Sequence, residues 1–134
     1  MSPEETRIPI TSETDIVIAR QKGRELAAAG GFSGTDQTLI ATAISEVARN
    51  IVEYAVGGEI ILTPVEHQGR RGIRVVARDE GPGIADTELA MRDGYSTGKS
   101  LGMGLPGAKR LMDEFDLVSA NGQGTIVTMQ KWVP

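Results

Sequence analysis

Apolar residues recur along this chain with two different periods, and the switches between them divide it into elements. Thr6 to Ile10 alternates as a short strand, and Pro9, with no N–H to give a ladder, confines it to a sheet edge. Ser12-x-x-Asp15 has the form of a capping box and predicts a helix to about Ala29, stopped by Gly30-Gly31. Ser33-x-x-Asp36 is a second start signal. The helix it opens is the most periodic segment: Leu39, Ile40, Ala43, Ile44, Val47, Ala48 and Ile51 keep the i, i+3, i+4, i+7 spacing, and the pattern ends near Ala55. Glu59 to Glu66 and Gly72 to Asp79 are β-branched runs joined by the polar turn Gln68-Gly69-Arg70-Arg71, which predicts an antiparallel hairpin. Residues 80–102 are rich in Gly, Asp, Ser and Thr, with at most one short helix around Asp86 to Arg92. Loops this long inside compact domains are lids or binding loops, or else disordered. A helix from about Gly104 to Phe115 follows, then strands Asp116 to Ala120 and Thr125 to Trp132 around the turn 121–124. The order β-α-α-β-β-lid-α-β-β clusters its hairpins, which excludes a doubly wound parallel sheet and predicts an α+β two-layer sandwich.

Composition narrows the chemistry. A chain of 134 residues predicts a single domain over 1–134. Lys plus Arg number 14 against 18 Asp plus Glu, a net charge of −4, which opposes non-specific nucleic-acid binding. Cys is absent, so no disulfide framework, thiol nucleophile or thiolate-held zinc is available. One histidine, His67, excludes any site needing two imidazoles. No apolar run approaches the ~20 residues of a membrane span, and the acidic N-terminus is unlike a signal peptide. The expectation is a cytoplasmic protein with neither membrane nor nucleic acid as partner.

The 17 glycines concentrate between Gly69 and Gly107, where three familiar motifs match on paper and fail in context. Gly94-x-Ser96-x-Gly98 has the spacing of a nucleophile elbow, but no strand precedes it and the single His lies upstream. Gly94-x-x-x-Gly98-Lys99-Ser100 is one residue short of a P-loop and lacks its leading strand. Gly102-x-Gly104-x-x-Gly107 satisfies the dinucleotide fingerprint without its flanking strand and acid. What survives of the last is physical: glycines at a helix start expose amides toward an anion, most often a phosphate.

A more specific pattern lies on the second helix. At ~100° per residue, Glu46 and Asn50 fall inside the apolar arc, one turn apart on an inward face. Burying them unpaired costs about 1–3 kcal/mol each, so they are a hydrogen-bonded pair, an edge that faces a partner, or parts of a site. Asp79-x-Gly81-x-Gly83 ends the hairpin's second strand, so a carboxylate stands at a strand terminus with close backbone approach. An ionised carboxylate only accepts hydrogen bonds, which suits the amine of adenine and opposes the O6 of guanine.

The order of these pieces, with Gly124-Thr125 opening the last strand, resembles the GHKL (Bergerat) ATPase superfamily over about residues 36–130. The segments 44–50, 101–106 and 110–116 resemble more narrowly its small anti-sigma-factor serine kinases of the RsbT type, the switch kinases of stressosomes. The resemblance implies a mixed, mostly antiparallel sheet with helices on one face and an ATP lid over about 84–102. It implies Asn50 as the Mg²⁺ ligand beside ATP and Glu46 as general base toward an attacking hydroxyl. It implies Asp79 and Thr125 at the adenine, Gly81 and Gly83 as letting the protein backbone approach the nucleotide, and Gly102, Gly104 and Lys99 at the phosphates. Histidine kinases of this superfamily carry their acceptor on a dimerisation domain, and gyrase-like or chaperone-like members need further domains, so the resemblance in 134 residues implies transfer to another protein or nucleotide-gated binding. By resemblance the acceptors are Ser or Thr on STAS-domain proteins (RsbS/RsbR-like), and a PP2C-type phosphatase (RsbU-like) is a second partner. A nucleotide-gated anti-sigma factor or phosphatase-activating adaptor is the alternative; Glu46 favours the kinase, since an adaptor has no use for a base.

Overall fold

The structure, a computed structural model, describes residues 4–81, 104–119 and 124–134. Among the described residues eight elements follow in the expected order: β1 (Thr6–Ile10), α1 (Glu13–Ala29), α2 (Gly34–Tyr54), β2 (Gly58–His67), β3 (Arg70–Asp79), α3 (Gly104–Leu111), β4 (Glu114–Ser119) and β5 (Thr125–Trp132). Both helix starts are built as their sequences dictate. The Asp15 carboxylate accepts the N–H groups of Thr11 and Ser12, and the Ser33 hydroxyl accepts the N–H of Asp36.

The strands form one sheet in the order β1-β2-β3-β5-β4, and all four pairings are antiparallel. Alternation decides which face is covered. Ile8 and Ile10, Ile60 and Leu62, Ile73 and Val75, and Val127 and Met129 are buried on the helix side. They meet Ile40, Ala43, Ile44, Val47 and Ile51 of α2, and Ile16 and Ala19 of α1 and Leu105 and Ala108 of α3 belong to the same core. Among the described residues the other face has no helix over it, and it carries Arg7, Glu59, Arg74, Arg78 and the exposed Val118 and Ile126. This is the two-layer α+β sandwich, with helices on one face.

Two element ends differ from the sequence reading. The hairpin turn is Gln68-Gly69 alone, both residues at positive φ (53° and 79°), with His67 paired to Arg70. A two-residue turn with both φ positive usually carries Asn-Gly, so Gln-Gly made a longer turn the natural expectation. The third helix stops at Leu111 rather than Phe115. There the chain is captured by β5: Asp113 N–H donates to the Gln130 carbonyl, and Trp132 N–H to the Asp113 carboxylate. Lys131 Nζ donates to the Leu111 carbonyl at 3.0 Å and so caps the helix C-terminus.

Candidate functional site

Parts of four elements meet at one end of the sandwich. α2 contributes a turn of its buried stripe, β3 its last residue, β5 its first, and α3 its N-terminus. Glu46 is only 7% exposed, and Asn50, one turn on, is half-buried. The inward placement read from the helical period is therefore what the fold contains.

The buried carboxylate of Glu46 is fully engaged. Its Oε2 accepts the Gly104 N–H at 2.8 Å, and its Oε1 receives Arg49 Nη1 at 3.1 Å. Gly104 opens α3 at φ 70°, so this amide is one of the helix's unpaired N-terminal donors. The contact joins the centre of α2 to the start of α3. The Asn50 amide makes no hydrogen bond to another described residue.

Asp79 stands between Gly58 of β2 and Thr125 of β5 in the ladder. Its Oδ1 accepts the Gly81 N–H at 2.9 Å, closing a tight turn, while Oδ2 accepts nothing from the described residues. A Cβ at Gly81 would come within 2.8 Å of the Ala55 Cβ, so only glycine lets this turn lie against the end of α2. Gly124 has φ 82°, and a Cβ there would collide with the Asp79 carbonyl. Thr125 is 4% exposed, and its hydroxyl pairs with that of Ser119 at 2.9 Å. The Ser119 hydroxyl also donates to the Gly124 carbonyl at 2.9 Å, which ties the β4–β5 turn to the same spot.

The structure thus brings Glu46 directly onto Gly104, and Asp79 beside Thr125 and Gly81. Gly83, Lys99, Gly102 and the lid over 84–102 lie outside the described residues, as do the two rejected motifs at 94–100. Two participants were missed by sequence reasoning. Arg49 sits at i+3 from Glu46, a spacing that could have flagged it. Ser119 needed the β4–β5 register, which no local pattern supplies. His67, the single imidazole, is exposed at the opposite end of the sheet, about 30 Å along β3 from Asp79. An open depression of about 770 Å³ lies at that far end, between the hairpin and Trp132. Arg74, Gln130, Glu114 and Trp132 hydrogen-bond one another along it, so these four side chains already have partners.

Chemically, the site offers a free carboxylate oxygen at a strand end, a free amide and a buried carboxylate on one helix, and amides at another helix start. Among the described residues no three His, Cys, Asp or Glu side chains converge as a metal cage. No described helix is long and apolar enough to cross a membrane.

Residues 10–131 match the histidine kinase-like ATPase domain family. The serine/threonine-protein kinase RsbT of Bacillus subtilis is 49% identical over 130 residues, covering 97% of this chain and 98% of that protein. An anti-sigma F factor of Thermoanaerobacter sp. is 34% identical over 98 residues, 70% of this chain and 68% of that one. Among solved structures, the RsbU and RsbW domains of a Mycobacterium tuberculosis protein superpose with a TM-score of 0.67 at 21% identity, over all of this chain and 34% of that one. The mycobacterial sensor histidine kinase MprB gives 0.57 at 14% identity over 97% of each chain. Likeness at such identities speaks to the fold; the identity over nearly full length speaks to the branch. The chain belongs to the histidine kinase-like ATPase domain family and, within it, to the RsbT-type serine/threonine-protein kinases.

Proposed function

We propose that this protein transfers the γ-phosphoryl group of ATP to a Ser or Thr of a STAS-domain protein in a partner-switching pathway. The observation that carries the reading is Glu46, a carboxylate on the buried stripe of α2 that reaches the N-terminus of α3. Asp79 and Thr125 form the adenine end, where the free Asp79 Oδ2 accepts from the exocyclic amine. Gly81 and Gly83 let the backbone approach the nucleotide. Gly102, Gly104 and Lys99 serve the phosphates, and the lid over 84–102 closes on them. Glu46 lies about 13 Å along the helix axis from Ala55, which touches the Asp79–Gly81 turn. The two ends are therefore set apart as an extended nucleotide requires.

Magnesium fits the residues present. Mg²⁺ takes oxygen ligands and is held by one or two protein groups plus substrate phosphates rather than by a full protein cage. The unengaged Asn50 carbonyl oxygen is such a group. When bound, the ion supplies charge neutralisation across the phosphates.

In the reaction, the hydroxyl oxygen of the acceptor forms a bond to the γ-phosphorus while the β–γ bridging P–O bond breaks and ADP leaves. Glu46 takes the hydroxyl proton. Catalysis rests on positioning and electrostatics, as in other phosphoryl transfers. The chain acts as one ATP-binding kinase domain over 1–134, in the cytoplasm. RsbS/RsbR-like STAS proteins are its acceptors, and an RsbU-like PP2C-type phosphatase is a partner that it binds and activates when released.

The kinship with anti-sigma F factors favours a second reading, a nucleotide-gated anti-sigma factor or phosphatase-activating adaptor with little transfer. One experiment separates the two. The protein is mixed with Mg·ATP and purified STAS-domain proteins encoded alongside it, and the mass of each is measured before and after. Gain of one phosphate on Ser or Thr, lost in Glu46→Ala, supports the kinase. ATP binding without any gain supports the gate.

A further inference from the structure

Glu46 is nearly inaccessible to water, yet it is a carboxylate. A charge in that position persists only when donors replace its lost hydration. Two do so: the Gly104 N–H on Oε2 and Arg49 Nη1 on Oε1. Arg49 is the one cation bonded to this carboxylate among the described residues, and its own side chain is 33% exposed. The two contacts differ in kind. Gly104 N–H is a helix-start amide with no partner inside its own helix, the type of donor that a bound phosphate claims. Arg49 sits on the same helix as Glu46, three residues on, and its hold does not depend on α3.

We infer that Arg49 is the positioning residue for Glu46: its guanidinium fixes the carboxylate through Oε1 and leaves Oε2 to take the acceptor's proton once nucleotide phosphate has drawn the Gly104 amide away. The inference rests on the reading of Glu46 as the general base. Without nucleotide, Glu46 itself occupies the anion position at the start of α3. With nucleotide, the Arg49 contact remains, and each carboxylate oxygen still has a lone pair to offer. Loss of Arg49 therefore acts on the rate of transfer and leaves nucleotide binding alone, because Arg49 contacts the base and not the adenine end.

The test compares Arg49→Ala, Arg49→Lys, Glu46→Gln and the Glu46→Gln/Arg49→Ala double variant. Conversion of bound Mg·ATP to ADP is followed in single turnovers, with the STAS acceptor and with water as acceptor; ATP affinity and melting temperature are measured on the same samples. Arg49→Ala should slow turnover by roughly 10- to 100-fold, the cost of a misplaced catalytic group, with ATP affinity within about twofold of wild type. Arg49→Lys, which keeps the charge without the planar fork, should recover part of the rate. The double variant should be no slower than Glu46→Gln alone. If Arg49→Ala does not fold, Arg49→Gln, which keeps the stem and an N–H donor, carries the same comparison. Wild-type turnover in Arg49→Ala, or a parallel fall of rate and ATP affinity, overturns the inference. So does a double variant that is slower than Glu46→Gln. Undiminished turnover in Glu46→Gln instead overturns the base assignment on which the inference stands, so the two failures are distinct.

Discussion

At the scale of single residues, the site depends on which polar atoms are spent and which are free. Asp79 spends Oδ1 on the Gly81 amide and keeps Oδ2. An adenine amine donating to Oδ2 makes a charge-assisted hydrogen bond, and Asp79→Asn replaces the charge while keeping the shape. Losing such a bond costs about 1.5–3 kcal/mol, so ATP affinity should fall by an order of magnitude or more in titration calorimetry. The wild type should also prefer ATP to GTP, since the O6 of guanine has no proton for Oδ2; equal affinity for the two removes Asp79 from base recognition. The placement of Glu46, Asn50 and Asp79 was legible in the sequence because each is singled out by a period or a terminus. A helical wheel alone turns Glu46 inward, and a β-branched run alone ends on Asp79. Arg49 and Ser119 were not, since each matters through the atom it touches. Ser119 meets Thr125 only when β4 and β5 are in register, and sequence does not state register.

At the scale of elements, start signals were readable and some stop signals were not. Ala108, Leu111, Met112 and Phe115 keep a helical spacing, so the pattern runs through the real end of α3. That end is made by Lys131 on the Leu111 carbonyl and by β5 on Asp113, contacts about 20 residues away in sequence. The α1 start, by contrast, is local, and its carboxylate reports on it. Asp15 is held below its ordinary value of 3.8, chiefly by the Thr11 N–H, against a desolvation that raises it, with the Thr11 hydroxyl and Ser12 N–H also lowering it. A carboxyl lowered in the folded state contributes stability above its unfolded value, and that contribution is lost as pH falls through the folded value. Asp15→Asn should therefore melt below wild type at pH 7, with the difference shrinking below about pH 4; a difference independent of pH removes the charge from the cap's action. The β4–β5 turn is a second element-scale test. Gly124 combines a positive φ with contact to the Asp79 carbonyl. Gly124→Ala should lower unfolding free energy by roughly 1–3 kcal/mol in a urea titration and weaken ATP binding, because it shifts the strand end that carries Asp79. Wild-type stability with wild-type affinity would mean that the turn is not what holds that end.

At the scale of the whole molecule, the site has no element of its own. Glu46 and Asn50 belong to the helical layer, Asp79 and Thr125 to the sheet, and Gly104 opens the helix that packs against α2. The two layers are joined by apolar packing, whereas the Glu46–Gly104 contact ties α2 to α3 inside the helical layer and the Glu46–Arg49 pair lies within α2. A nucleotide that touches Asp79 at one end and the start of α3 at the other ties both layers at once. Its binding energy therefore opposes global unfolding rather than the opening of one loop, and linkage sets the size of the effect. At 100 times its dissociation constant, a ligand of the folded state alone adds about 2.7 kcal/mol. For a domain of this length that is a rise of roughly 10 °C in melting temperature, read by scanning calorimetry as one cooperative transition. Omitting Mg²⁺ should shrink the rise if, as proposed, Asn50 holds the ion, and GTP at the same concentration should produce little. Asp79→Asn should lose most of the shift at the same ATP concentration, whereas Glu46→Gln should keep it, since Glu46 is assigned to the proton and not to the nucleotide. A shift retained in Asp79→Asn but lost in Glu46→Gln would reverse those roles, and would make the buried carboxylate a binding group that links α2 to α3.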